Sequence, residues 1–241
     1  MIFDPLWIAV MVFSMVLGGL TQFYIKSTFK KYSKVSMARP ATGAQVAENT
    51  LRYSNIPVAT AHGATSANAF GKRPVTIAQS KHGKLSDHFD PRSNTVALSE
   101  VVYGQSNIAA AAVAAHEVGH AVQTAKGYLP SRLRSAMVPA VNIGASFAWI
   151  LIIAGLVMAM SGLVWVGIAF FALSVLFQIV TLPVELDASN RAMYMLRSTN
   201  TLTTAELAGA RKVLTAAALT YVAAALVSVV QLMYWIGLAR D

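Results

Sequence analysis

His116, Glu117 and His120 are the residues whose types and spacing could do chemistry, in the stretch Ala114-Ala115-His116-Glu117-Val118-Gly119-His120-Ala121-Val122-Gln123. On a helix, positions four apart share a face, so two neutral imidazoles can hold one Zn2+ at roughly 2.0–2.1 Å. The carboxylate beside them can then reach a water on the metal. This is an H-E-x-x-H arrangement, and the chemistry it suits is metal-assisted hydrolysis of an amide bond. Zinc lowers the pKa of its water to about 7 and polarises the scissile carbonyl, while Glu117 takes the water proton and passes it to the leaving amine. The bland alternative is two histidines packed into an apolar helix by chance. With 5 His and 10 acids in 241 residues, composition counts against it.

A catalytic zinc takes three protein ligands and leaves the fourth position open. The chain has no cysteine, which excludes disulfides, thiolate ligation and a cysteine nucleophile. The third ligand must therefore come from Glu185 or Asp187, or from His62, His82, His88, Asp87 or Asp90. Glu185 is the choice, because an acid on a second helix packed against the first completes a His2Glu site. Its bland reading is an acid favoured by the dipole at a helix start. The tetrahedral oxyanion also needs a partner. Arg191, about two turns past Glu185, is the first candidate, ahead of His88 and Tyr103, although a charge set by membrane topology would also explain it.

The elements that must position these residues begin with a helix over Ile108 to Val122. It is rich in Ala, with Ser106 or Asn107 as N-cap, Lys126 favouring the C-terminal dipole and Gly127 able to supply a left-handed cap. Around it the chain is greasy: 56% apolar and 12% charged, with a mean hydropathy of +0.54. That composition points to a membrane protein. Pro5 to Ile25, Ala136 to Met160, Leu163 to Leu182 and Val213 to Leu238 are each long enough to span a hydrocarbon core of about 30 Å. The first has Asp4 before it, no basic n-region and no small-residue cleavage site, so it is expected to be a retained span.

The net charge of +9 is placed as topology requires rather than as nucleic acid would. Lys26, Lys30, Lys31, Lys34 and Arg39 follow the first span, Arg132 and Arg134 precede the second, Arg191 and Arg197 follow the third, and Arg211 and Lys212 precede the fourth. The positive-inside rule then puts both termini outside and the basic segments in the cytoplasm. Ser161-Gly162 is expected to be a tight turn joining the second and third spans into a hairpin. That hairpin returns Glu185 to the side that carries His116 and His120.

The expected organisation is a first span at 1–25, a cytoplasmic catalytic domain at 26–134, a hairpin of spans at 135–183, a cytoplasmic helix with the third ligand at 184–212, and a last span at 213–241. Thr42 and Gln45 form a capping box that opens a helix over Gly43 to Tyr53, ended by Asn55-Ile56-Pro57. Val58 to Gly83 gives only weak strand signals. Leu85 to Ser99 resembles a two-strand hairpin, turning at Arg92-Ser93-Asn94. Its second strand, with Val96, Ala97 and Leu98, is expected as an edge strand on which an extended substrate could pair. Pro183 is expected where a helix restarts, and Thr203 with Glu206 forms a second capping box.

His116 to Gln123, together with Pro183-Val184-Glu185-Leu186-Asp187-Ala188-Ser189-Asn190-Arg191-Ala192 and the hairpin of Asp87 to Ser99, resembles the YugP-like family of bacterial membrane zinc metallopeptidases. The resemblance implies one Zn2+ per chain on His116, His120 and Glu185, with Glu117 as the base. It implies a mainly α, multi-pass fold of four transmembrane helices with a small α+β zincin-like cytoplasmic domain in the bacterial plasma membrane. The partners implied are peptides or membrane-protein segments as substrates and the lipid bilayer, with room for an oligomer or an adaptor. The sequence is also distantly similar to membrane HExxH peptidases that carry an E-x-x-x-D motif. There it departs, since Ser189 stands where the Asp would be, and the carboxylate that buttresses a zinc histidine is either missing or supplied by Asp187. The competing class is a non-catalytic membrane adaptor or channel-like protein with a structural metal, which would show four protein ligands.

Overall fold

The structure, a computed structural model, describes residues 4–59, 73–80, 83 and 86–240. Expectations that fall on His62, His82 and the turns around them lie outside these residues. In chain order the elements are α1 (Pro5–Tyr32), α2 (Gly43–Tyr53), β1 (Val58–Ala59), β2 (Val75–Gln79), β3 (His88–Asp90), β4 (Thr95–Leu98), α3 (Glu100–Tyr103), α4 (Ile108–Ala125), α5 (Leu129–Val157), α6 (Ser161–Ser198) and α7 (Thr204–Leu238). The fold is mainly helical with a small sheet. Four helices, α1, α5, α6 and α7, are long and apolar enough to cross a membrane.

Two compact units divide the chain. One comprises Met1–Phe23, Arg132–Pro183 and Leu219–Asp241, the other Tyr24–Ser131 and Val184–Ala218. The first unit packs an apolar cluster around Ile152, Val164, Ile168, Phe171 and Trp235. Small residues let its helices touch: a Cβ added to Gly167 would lie 2.8 Å from the Ile152 backbone nitrogen, and one added to Gly155 would lie 2.7 Å from that of Val164. Such close approach is the usual substitute for hydrophobic driving force between helices in lipid. Many large apolar side chains of α1 point outward, among them Leu6, Met15, Leu20 and Phe23, as lipid-facing positions do.

The second unit is built on α4. Its Ala-rich surface is buried on nearly every side, from Ile108 through Ala115 and on to Gln123, and it packs with α2, the sheet and parts of α6 and α7 into one core. Leu51, Val46, Val96, Leu98 and Leu196 are wholly buried there, each such side chain worth about 1.5–3 kcal/mol against exposure. The caps expected from the sequence form. The Thr42 hydroxyl accepts from Gln45 N while the Gln45 side chain accepts from Thr42 N. Thr203 and Glu206 make the same reciprocal pair at α7.

Three expectations change. The sheet order is β1-β2-β4-β3, so β4, carrying Val96, Ala97 and Leu98, is an interior strand. It pairs in parallel with β2 and antiparallel with β3, and all three residues are buried. Its backbone groups and both faces are taken, and the edges of the sheet are β1 and β3. The reason lies in Val75-Thr76-Ile77, a short β-branched run whose long-range pairing local signals do not reveal. Pro183 does not start a helix, since α6 runs through it without interruption. The hairpin turn falls at Met158 to Met160 rather than Ser161-Gly162, with Ala159 at φ 53° and Ser161 already helical. Helix α5 begins at Leu129, so Pro130 sits in its first turn, where its missing N–H costs nothing.

Candidate metal centre

Helix α4 begins where the Asn107 side chain accepts from Ala110 N at 2.9 Å, a cap worth about 1 kcal/mol. It ends at Lys126, beyond which Gly127 turns the chain at φ 65°. On the helix so fixed, the rings of His116 and His120 stand edge to face with centroids 4.7 Å apart. Glu185 comes from α6 and is 2% exposed. Its Oε2 lies 3.3 Å from His116 Nε2 and 3.7 Å from His120 Nε2.

The three ligand atoms all fall within 4.8 Å of one another. Donors held about 2.0–2.2 Å from a tetrahedral ion stand about 3.3–3.6 Å apart, and the two distances from Glu185, 3.3 and 3.7 Å, are close to that spacing. It is also the one group of this kind among the described residues. The donor set, two imidazoles and a carboxylate, is the chemistry zinc takes.

One close contact brings the acid to the imidazoles. A Cβ added to Gly119 would sit 2.6 Å from the Ala188 carbonyl oxygen. Only a residue without a side chain lets the backbones of α4 and α6 meet at this point, and Glu185 is one turn from Ala188. Glu185 lies in the body of α6, far from either helix end, so a helix-start role for it falls away.

Each imidazole also has a partner on its other nitrogen. His116 Nδ1 lies 3.2 Å from Ser189 Oγ, and His120 Nδ1 lies 3.0 Å from Gln123 Oε1. The Gln123 amide nitrogen donates to Val184 O at 2.7 Å and to Asp187 Oδ2 at 2.8 Å, and Arg191 Nε donates to the same Asp187 oxygen. Ser189, at the position where the related motif has an Asp, therefore touches a histidine itself. Gln123 is a site residue that sequence reasoning does not assign, although its place one turn past His120 is an available signal. Glu117 is buried at 8% exposure beside His116. Burial pushes the His120 pKa down, but the Glu185 carboxylate facing it and the charge of Glu117 outweigh this, and the net direction is upward.

The other candidates are occupied elsewhere. Asp87 accepts from the backbone and hydroxyl of Ser99 at 2.7 and 3.0 Å, and burial raises its pKa despite those bonds. Asp90 ties the hairpin turn through Arg92 N and Ser93. His88 is exposed, with Nδ1 2.9 Å from Ser86 O. Arg191, six residues from Glu185, is turned about 120° round the helix. Its partners are Asp187 and the ring of Tyr128, 5.7 Å from its guanidinium carbon. Its Nε is thus engaged by Asp187.

Two histidines from one helix and a buried acid from a second make a group that could hold a metal ion, in a chain with four helices long and apolar enough to cross a bilayer. Residues 7–240 match the family described as "putative neutral zinc metallopeptidase", and the chain belongs to that family. It is 38% identical over 234 residues to the "Putative membrane protease YugP" of Bacillus subtilis (strain 168), covering 96% of this chain and 95% of that protein. No solved structure matches it.

Proposed function

We propose that the chain is a membrane-embedded zinc metalloendopeptidase that cleaves peptide bonds at the cytoplasmic membrane surface, with both termini outside. The observation that carries this reading is the convergence of one Glu185 oxygen on the Nε2 atoms of His116 and His120. These three side chains would hold one zinc ion per chain, and among the described residues no fourth protein donor closes the group. When bound, the ion would polarise the scissile carbonyl and acidify a water to a pKa of about 7. Glu117 accepts the proton released during attack and returns it to the leaving amine. Its burial beside His116 supports that role, because a carboxylate shielded from bulk water exchanges its proton with the reactants rather than with solvent.

Substrates would be peptides or segments of membrane proteins. An extended chain would add to the outer edge of β3, the strand that pairs on one side with β4, since backbone pairing on a free edge gives affinity without demanding a sequence. The basic residues flanking the apolar stretches support the cytoplasmic placement.

The test pairs metal analysis with a peptide-cleavage assay on purified full-length protein. Glu117→Gln should keep one zinc per chain and lose cleavage by about 1,000-fold or more, the scale of a lost general base together with its charge. Glu185→Ala should lose the zinc itself. Undiminished cleavage by Glu117→Gln overturns the mechanism, and undiminished zinc in Glu185→Ala overturns the ligand set.

A further inference from the structure

The two imidazoles at the centre are not held alike. Ser189 Oγ, beside His116 Nδ1, can either donate or accept, so it leaves the tautomer of His116 open. Gln123 leaves His120 no such choice. Its amide nitrogen faces the Val184 carbonyl and the Asp187 carboxylate, two groups that offer only acceptor oxygens. Turning the amide over would point oxygen at oxygen twice in a site where Gln123 is wholly buried. Its NH2 must therefore face them and its Oε1 must face His120 Nδ1. An amide oxygen can only accept, so Nδ1 carries the hydrogen, which leaves Nε2 as the ring nitrogen that faces Glu185 and the place a metal would take. Asp187 is in turn held by Arg191.

We propose that Arg191, Asp187 and Gln123 form a positioning relay that fixes His120 in the Nδ1–H tautomer, so that the carboxylate buttress of this metal centre acts through an amide instead of touching the imidazole. The inference rests on the reading of His120 as a zinc ligand. It accounts for the departure at Ser189: the buttressing acid has moved to Asp187, on another flank of α6, and Gln123 spans the distance. It also gives Arg191 a task in the centre that needs no contact with substrate. The outer end of the relay opens on a cavity of about 460 Å3 lined by Lys126, Asn190, Arg191 and Tyr194 among others, so the Arg191 side chain can be reached from solvent without disturbing Gln123.

The test is made first on metal-free, full-length protein with 15N-labelled histidine, where ring-nitrogen shifts report the tautomer without any zinc. Wild type should show hydrogen on His120 Nδ1, exchanging slowly, whether or not Nε2 opposite Glu185 is also protonated in the absence of metal. Gln123→Met, close to the same shape but without either polar end, should populate the other tautomer. In chelator competition it should bind zinc about 10–100-fold more weakly, the usual effect of losing such a partner. Asp187→Ala, which keeps the Gln123 bond to Val184, should speed exchange of the His120 ring proton and weaken zinc by about 10-fold or less. It carries the same readouts if Gln123→Met fails to fold.

A His120 ring without hydrogen on Nδ1 in wild type overturns the relay, as does an unchanged Nδ1 proton and zinc affinity in both variants. Failure of the wild type to bind zinc would sink the peptidase reading instead, while the metal-free spectrum would still decide the relay.

Discussion

Helix α6 meets a neighbouring helix through a missing Cβ in each of the two units, and the two contacts do different work. In the first unit Gly167 lies against the backbone of Ile152 on α5, and what surrounds it is apolar: Ala148, Ile152, Val164, Ile168 and Phe171. In the second unit the glycine is on the other helix, Gly119 of α4, and it lies under the Ala188 carbonyl. Here the neighbours are Glu185, Ser189, His116, His120 and Gln123. The first contact gains dispersion energy, spread over many atoms and tolerant of small shifts. The second sets distances of 3.3 and 3.7 Å between an acid and two imidazoles, where a shift of about 1 Å would break the site. The same packing device is thus a matter of stability in one place and of chemistry in the other.

The sharpest way to break this comparison is to give each glycine a side chain. Gly119→Val should abolish zinc binding, since the added carbons meet backbone rather than a movable side chain, and separating α4 from α6 carries Glu185 away from the imidazoles. Zinc content after dialysis checks it, and full retention would show that the α4–α6 contact does not set the site. Removing the metal should come next in size. At a zinc concentration about 100-fold above Kd the bound ion stabilises by about 2.7 kcal/mol. Chelation should therefore lower the melting temperature and loosen amide protection around 116–123 and 185–192, while leaving 148–168 unchanged. Equal loosening of both regions would erase the distinction between them.

Much of the metal centre is legible in the sequence, because its information is local. The i, i+4 histidines and the cap at Asn107 depend on residues within one helix, and the helix over Gly43–Tyr53 has the limits its capping box and Asn55 dictate. Glu185 stands out because acids are rare and it follows an apolar run. What the sequence hides depends on residues far apart along the chain. β4 reads as an edge until β2 pairs with it in parallel. Pro183 reads as a break, but α6 continues as helix on both sides of it. Gln123 acquires its partners only when Gly119 admits the Ala188 backbone, a contact that nothing in the motif announces.

The membrane-side counterpart is the smallest effect and the one that sharpens the comparison most. Gly167→Ala would bring a Cβ to 2.8 Å from Ile152 N and 3.0 Å from Ala148 O, so the α5–α6 pair must spread by a few tenths of an ångström. Overpacking of this kind costs about 1–3 kcal/mol. Because the neighbours are apolar and make no bonds that need a fixed distance, the cost should appear as a lower melting temperature alone. Zinc stoichiometry and chelator-competition affinity, measured at a temperature where the variant is folded, should match wild type. A loss of zinc affinity in Gly167→Ala comparable to that of Gly119→Val would mean that the spacing of α6 against α5 is passed along the helix to Glu185. The two contacts would then have to be treated as one.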